Sequence, residues 1–99
     1  MNLKIRLKQD QVDFFNNAFG RISPEAKVYL SGSRADDNAR GGVIDILVLS
    51  SKKISLSGKQ HVYFEFYKQF GEQKVDIVNF TFQEDPPFKA IAMSTAIGL

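Results

Sequence analysis

The chain has 99 residues, 43% of them hydrophobic, and 13 basic against 11 acidic side chains, for a formal charge of +2. That is the size of one domain, spanning residues 1–99, which buries roughly 60–70% of its unfolded surface without needing staples. With no cysteine and one histidine, disulfide frameworks and thiolate metal sites are excluded, and two surplus charges fall short of a polyanion-binding stripe.

The start, MNLKIRLKQD, lacks the apolar core of a signal peptide, and no apolar run approaches the roughly 20 residues of a membrane helix. A cytoplasmic protein without a membrane partner is expected. Leu3, Ile5 and Leu7 alternate with polar residues, as in a short extended segment. From Gln9 to Phe19, Val12, Phe15 and Phe19 recur at helical spacing, with Phe14 and Ala18 widening the stripe. Gly20 is expected to stop this helix. Lys27 to Ser31 reads as a short strand ending at Gly32, and Ser33 to Gly42 is polar enough for a short helix and loop.

Val43 to Leu49 is almost continuously apolar and β-branched, the pattern of a strand covered on both faces. After a polar connection to Gly58, a second helix is expected over Lys59 to Phe70. Val62, Tyr63, Phe66, Tyr67 and Phe70 lie on its inner side, with Gly71 as its stop. Lys74 to Phe82 reads as another strand. Asp85-Pro86-Pro87 opens a last helical segment reaching Ile97 and Gly98. The predicted fold is α/β, a small mixed sheet with helices packed mainly on one face.

Two of these strands carry one acid each, Asp45 and Asp76. An ionised carboxylate inside an apolar strand costs several kcal/mol unless it is compensated. Pairing with a lysine or arginine near a strand end is one solution. The other is that both acids share one face and hold a hard cation such as Mg²⁺, which takes carboxylate and phosphate oxygens. Gly32-Ser33-Arg34 follows a strand directly: glycine permits a sharp turn and close approach, serine offers a hydroxyl and an N–H, and Arg34 and Arg40 offer charge-assisted bonds to phosphate.

The segment from Tyr29 through Gly32-Ser33-Arg34 to Val43-Ile44-Asp45-Ile46-Leu47-Val48 closely resembles the signature of minimal nucleotidyltransferases of the DNA polymerase β superfamily. That signature is a Gly-Ser turn, about ten residues, Asp-x-Asp on a strand, and a third acid on a later strand, which Lys74-Val75-Asp76-Ile77-Val78 resembles. The tail from Asp85 is similar to the closing helix of the family.

The resemblance implies transfer of a nucleoside monophosphate from a Mg²⁺-bound triphosphate, ATP first among them, to a hydroxyl. Gly32, Ser33 and Arg34 would hold the nucleotide, Asp45 a metal, and Asp76 either the second metal or, as a base, the attacking hydroxyl. It also implies an antitoxin-like domain whose acceptor is a protein partner, an all-helical HEPN-like toxin.

One position departs from the signature, because Val43 occupies the place of the first acid of Asp-x-Asp. A weakened Mg²⁺ site and impaired transfer are therefore expected, and a catalytically silent nucleotide-binding or antitoxin-like module is the rival reading. Asp36 and Asp37 are loop acids awkwardly close to phosphate for a compensating role. His61 has no second histidine with which to share a metal, and Lys52, Lys53 and Lys59 fit a solvated loop better than a nucleic-acid footprint. Tyr63, Phe64, Phe66, Tyr67 and Phe70 exceed one helical stripe, so part of the cluster is expected to dock on a partner or a second copy.

Overall fold

A computed structural model describes residues 7–31 and 43–99. The first helix, α1, runs from Gln9 to Ile22 and buries Phe15 and Phe19 completely on one face. It passes through Gly20, contrary to the expected stop. What ends it is Pro24: the residue before a proline is driven out of helical geometry, and Ser23 is extended at φ −147° and ψ 101°. The Ser23 N–H donates to the Phe19 carbonyl at 2.8 Å.

Three strands follow the expected positions closely: β1 Lys27–Ser31, β2 Val43–Ser50 and β3 Lys74–Thr81. Helix α2, Leu56–Phe70, connects β2 to β3. It begins three residues before the expected Lys59 because Ser55 caps it, its hydroxyl accepting the Gly58 N–H at 3.0 Å. Gly71 ends it at φ +83°, as expected of a glycine stop.

The last segment departs from expectation. Helix α3 covers only Pro87–Ser94, and Ile97–Gly98 forms a short strand, β4, rather than continuing the helix. Ile97 and Gly98 pair antiparallel with Leu30 and Tyr29, and the Leu99 N–H donates to the Val28 carbonyl at 2.9 Å. The open edge of β1 thereby gains partners that a longer helix would have denied it.

The sheet order is β3-β2-β1-β4, with β2 and β3 parallel and the other pairs antiparallel, so the fold is α/β around a small mixed sheet. Helices α1 and α2 cover one face, where Ile44, Ile46, Val48, Leu30 and Ile77 meet Phe15, Phe19, Val62 and Phe66. Phe15 and Phe66 stack at 5.2 Å between centroids, with Phe14 edge-on to both. Among the described residues α3 alone covers the other face, where Leu47, Leu49 and Phe80 pack with Ala92, Met93 and Ala96. Tyr67, expected on the inner side of α2, is 56% exposed and points outward with Phe64. Among the described residues no helix is long and apolar enough to cross a membrane.

Candidate functional site

Side chains alternate along a strand, so the residues of β2 that flank Ile44 and Ile46 face away from α1 and α2, toward the thinly covered side. Asp45 is one of them. The parallel register sets Asp45 directly beside Asp76, and the antiparallel register sets Ser31 on its other side. Neighbouring strands lie about 4.8 Å apart, so Ser31, Asp45 and Asp76 form one polar row across three strands. Asp45 is half-buried and Asp76 exposed.

Helix α3 has eight residues and covers the next rows, and among the described residues no element covers this one. Between the row and the helix lies a cavity of about 290 Å³. Leu47 and Val78 line it beneath the carboxylates, and Phe88, Ile91, Ala92 and Thr95 line it from α3. Phe88 and Ile91 are 55% and 66% exposed, an apolar lip beside two acids.

Polar groups at the opposite end of the sheet bond to one another. Asn79 is buried, its Oδ1 accepting the Ile54 N–H at 2.7 Å and its Nδ2 donating to the Val48 carbonyl and the Ser50 hydroxyl at 3.0 Å. Lys53 donates to the Asn79 carbonyl and the Glu84 carboxylate, and Lys89 to the Thr81, Phe82 and Glu84 carbonyls. Hydrogen bonds from the Thr81 N–H and from Lys53 hold the Glu84 carboxyl below its ordinary range. Glu25 accepts from the hydroxyls of Ser23 and Ser51 and from the Ser51 N–H, which lowers its pKa from 4.5 to about 2. That end of the sheet is a latch between loops.

Two roomier depressions, about 430 Å³ each, lie elsewhere among the described residues. One is a groove between α1 and α2 lined by Asp10, Asp13, His61 and Glu65, where exposed His61 is no part of the carboxylate row. The other adjoins the Glu25 latch, beside Lys52 and Lys53. The described residues contain no cluster of three or more metal-ligating side chains.

Of the site residues expected from sequence, Asp45 and Asp76 come together on the open face. Val43 lies one step along the same face of β2, half-buried, in register with Lys74. Gly32, Ser33 and Arg34 lie outside the described residues, as do Asp36, Asp37 and Arg40; the chain enters that segment directly from Ser31, beside Asp45.

Sequence reasoning missed Ser31 and the α3 wall. Alternation from Tyr29 would have put Ser31 on the acid face, but nothing in the sequence says which face α3 crosses.

As a donor set, two carboxylates on adjacent strands fit one hard divalent cation that completes its shell with phosphate and water. Val43 offers no oxygen for a second. Against known proteins, the chain matches no family model and no curated sequence.

Proposed function

We propose that this chain is a nucleotidyltransferase-like domain of the DNA polymerase β superfamily type, binding a Mg²⁺-nucleoside triphosphate, ATP first among candidates, at the row of Ser31, Asp45 and Asp76. The observation that carries the reading is the register match of Asp45 with Asp76 on the face away from α1 and α2, beside the strand end from which Gly32-Ser33-Arg34 continues. Two carboxylates side by side offer oxygens to one shared cation, and a cavity opens where its phosphate ligands would enter.

In this reading Asp45 and Asp76 hold the cation, and Gly32, Ser33 and Arg34 bind the terminal phosphates. Magnesium, when bound, neutralises phosphate charge. Asp76, the more exposed acid, accepts the proton of the attacking hydroxyl. A new bond from that oxygen to the α-phosphorus replaces the bond to the β-phosphate oxygen, and pyrophosphate leaves. Phe88 and Ile91 give the base or the acceptor an apolar surface. The acceptor is a hydroxyl on a protein, with a HEPN-like helical partner as the candidate that the family resemblance suggests. Exposed Phe64 and Tyr67 on α2 suit contact with such a partner or with a second copy. The cytoplasm is the compartment that fits this partner and substrate.

Val43 favours a second reading, a nucleotide-binding or antitoxin-like module without turnover. It lies on the site face where a third carboxylate would bridge to another cation. Losing such a ligand costs several kcal/mol of transition-state stabilisation, on the order of three decades in rate. The test follows transfer of α-labelled ATP to candidate acceptors, with calorimetry of Mg·ATP binding alongside. Binding that disappears in Asp45→Asn and Asp76→Asn supports the site. A gain of about a thousandfold in transfer by Val43→Asp identifies an impaired enzyme, and binding without transfer in either protein identifies the silent module. Absence of Mg·ATP binding in the unaltered chain overturns both.

A further inference from the structure

We infer that Lys74 is a triphosphate-binding residue, its ammonium supplying the positive charge that Val43 denies the site in the form of a second cation. This rests on the nucleotide-binding reading above.

The parallel register sets Lys74 beside Val43 as it sets Asp76 beside Asp45. Alternation then carries Val43, Asp45, Lys74 and Asp76 on one face, a two-by-two block with the two acids nearer α3 and Lys74 at the outer corner. Asp76 is two residues along the strand from Lys74, about 7 Å away. Lys74 is exposed. Among the described residues its ammonium makes no ion pair, unlike those of Lys53, which pairs with Glu84, and Lys68, which pairs with Glu65.

Charge decides what this corner does. Two carboxylates cancel one divalent cation completely, so beyond Arg34 the site offers a polyanionic triphosphate no net positive charge of its own. Asp45 and Asp76 cannot give more, and Val43 brings neither charge nor donor. Lys74 returns one positive charge to the same face, on a flexible stem with three donors that suit phosphate oxygens. The site is then cationic on the side away from α3. The phosphates are drawn to the Val43–Lys74 edge, and the remainder of the nucleotide is left toward Phe88 and Ile91.

The experiment titrates the full-length chain with Mg·ATP and, separately, with inorganic tripolyphosphate in magnesium, at two salt concentrations. The proteins compared are the unaltered chain, Lys74→Gln, Lys74→Arg and Asp76→Asn, with circular dichroism to verify folding. Lys74→Gln is expected to weaken both ligands about tenfold or more and to flatten the salt dependence, while Lys74→Arg stays within about threefold of the unaltered chain. Equal binding by Lys74→Gln and the unaltered chain, with Asp76→Asn still disrupting it, overturns the role of Lys74 and leaves the nucleotide site standing. A Lys74→Arg variant as weak as Lys74→Gln also overturns it, because charge would then not be what matters. If the unaltered chain binds neither ligand, the nucleotide reading falls and this inference with it.

Discussion

At the scale of single residues, the two ends of the sheet treat their carboxylates differently. Glu25 ties the α1–β1 connection to the residue after β2 through Ser23 and Ser51. Those hydrogen bonds favour its charged form, which is why its pKa falls from 4.5 to about 2. Because the folded value lies below the unfolded one, the stabilisation is complete above the ordinary carboxyl range and is lost as the pH drops through about 2. The melting temperature of the unaltered chain should therefore fall more steeply between pH 5 and about 2 than that of Glu25→Gln, followed by thermal circular dichroism. Parallel pH profiles for the two proteins would show that the latch carries no stability. Asp45 and Asp76 sit beside each other at a cavity, within reach of a ligand that enters it. The two site acids were legible in the sequence because each interrupts an apolar run. Asn79 was not, since the groups it satisfies come from Val48, Ser50 and Ile54, distant in sequence.

At the scale of elements, glycine means different things in α1 and α2. Gly20 lies inside α1, not in the left-handed region, and a Cβ built there meets nothing within 4 Å. Gly71 sits at φ +83°, where a side chain is strained even in open space. Gly20→Ala should stabilise the protein by about 0.5–1 kcal/mol, whereas Gly71→Ala should destabilise it by about 1 kcal/mol. Urea titration of both variants measures the two signs, and a destabilised Gly20→Ala would mean that α1 does terminate at that glycine. The sequence marks both glycines alike. What separates them is Pro24, whose effect on Ser23 lets the helix continue until it meets that barrier. The three long strands were readable from β-branched runs, and α2 from its aromatic spacing. The brief strand β4 carries no such signal, because two residues have no period and its formation depends on the vacant edge of β1.

At the scale of the molecule, the sheet separates, among the described residues, a sealed layer from a thin one. Phe15, Phe19, Val62 and Phe66 are all but fully buried between α1, α2 and the sheet, while α3 has no buried residue. Opening α3 exposes half-buried Ala92 and Met93 together with Leu47, Leu49 and Phe80, whereas opening α2 dismantles the aromatic stack. Local opening therefore belongs to α3 and β4. The same helix supplies Phe88, Ile91, Ala92 and Thr95 to the cavity beside Asp45 and Asp76, so a ligand there would bridge α3 to the sheet. Hydrogen exchange measured by mass spectrometry should show the peptide covering Pro87–Leu99 exchanging well before β2, and saturating Mg·ATP should slow that peptide while leaving α1 unchanged. A ligand that bound elsewhere, in the groove between α1 and α2, would instead protect the segments containing Asp13 and His61. Protection of that groove, or equal exchange in α3 and β2, would separate the carboxylate cavity from the binding event and remove the link between the thin layer and function.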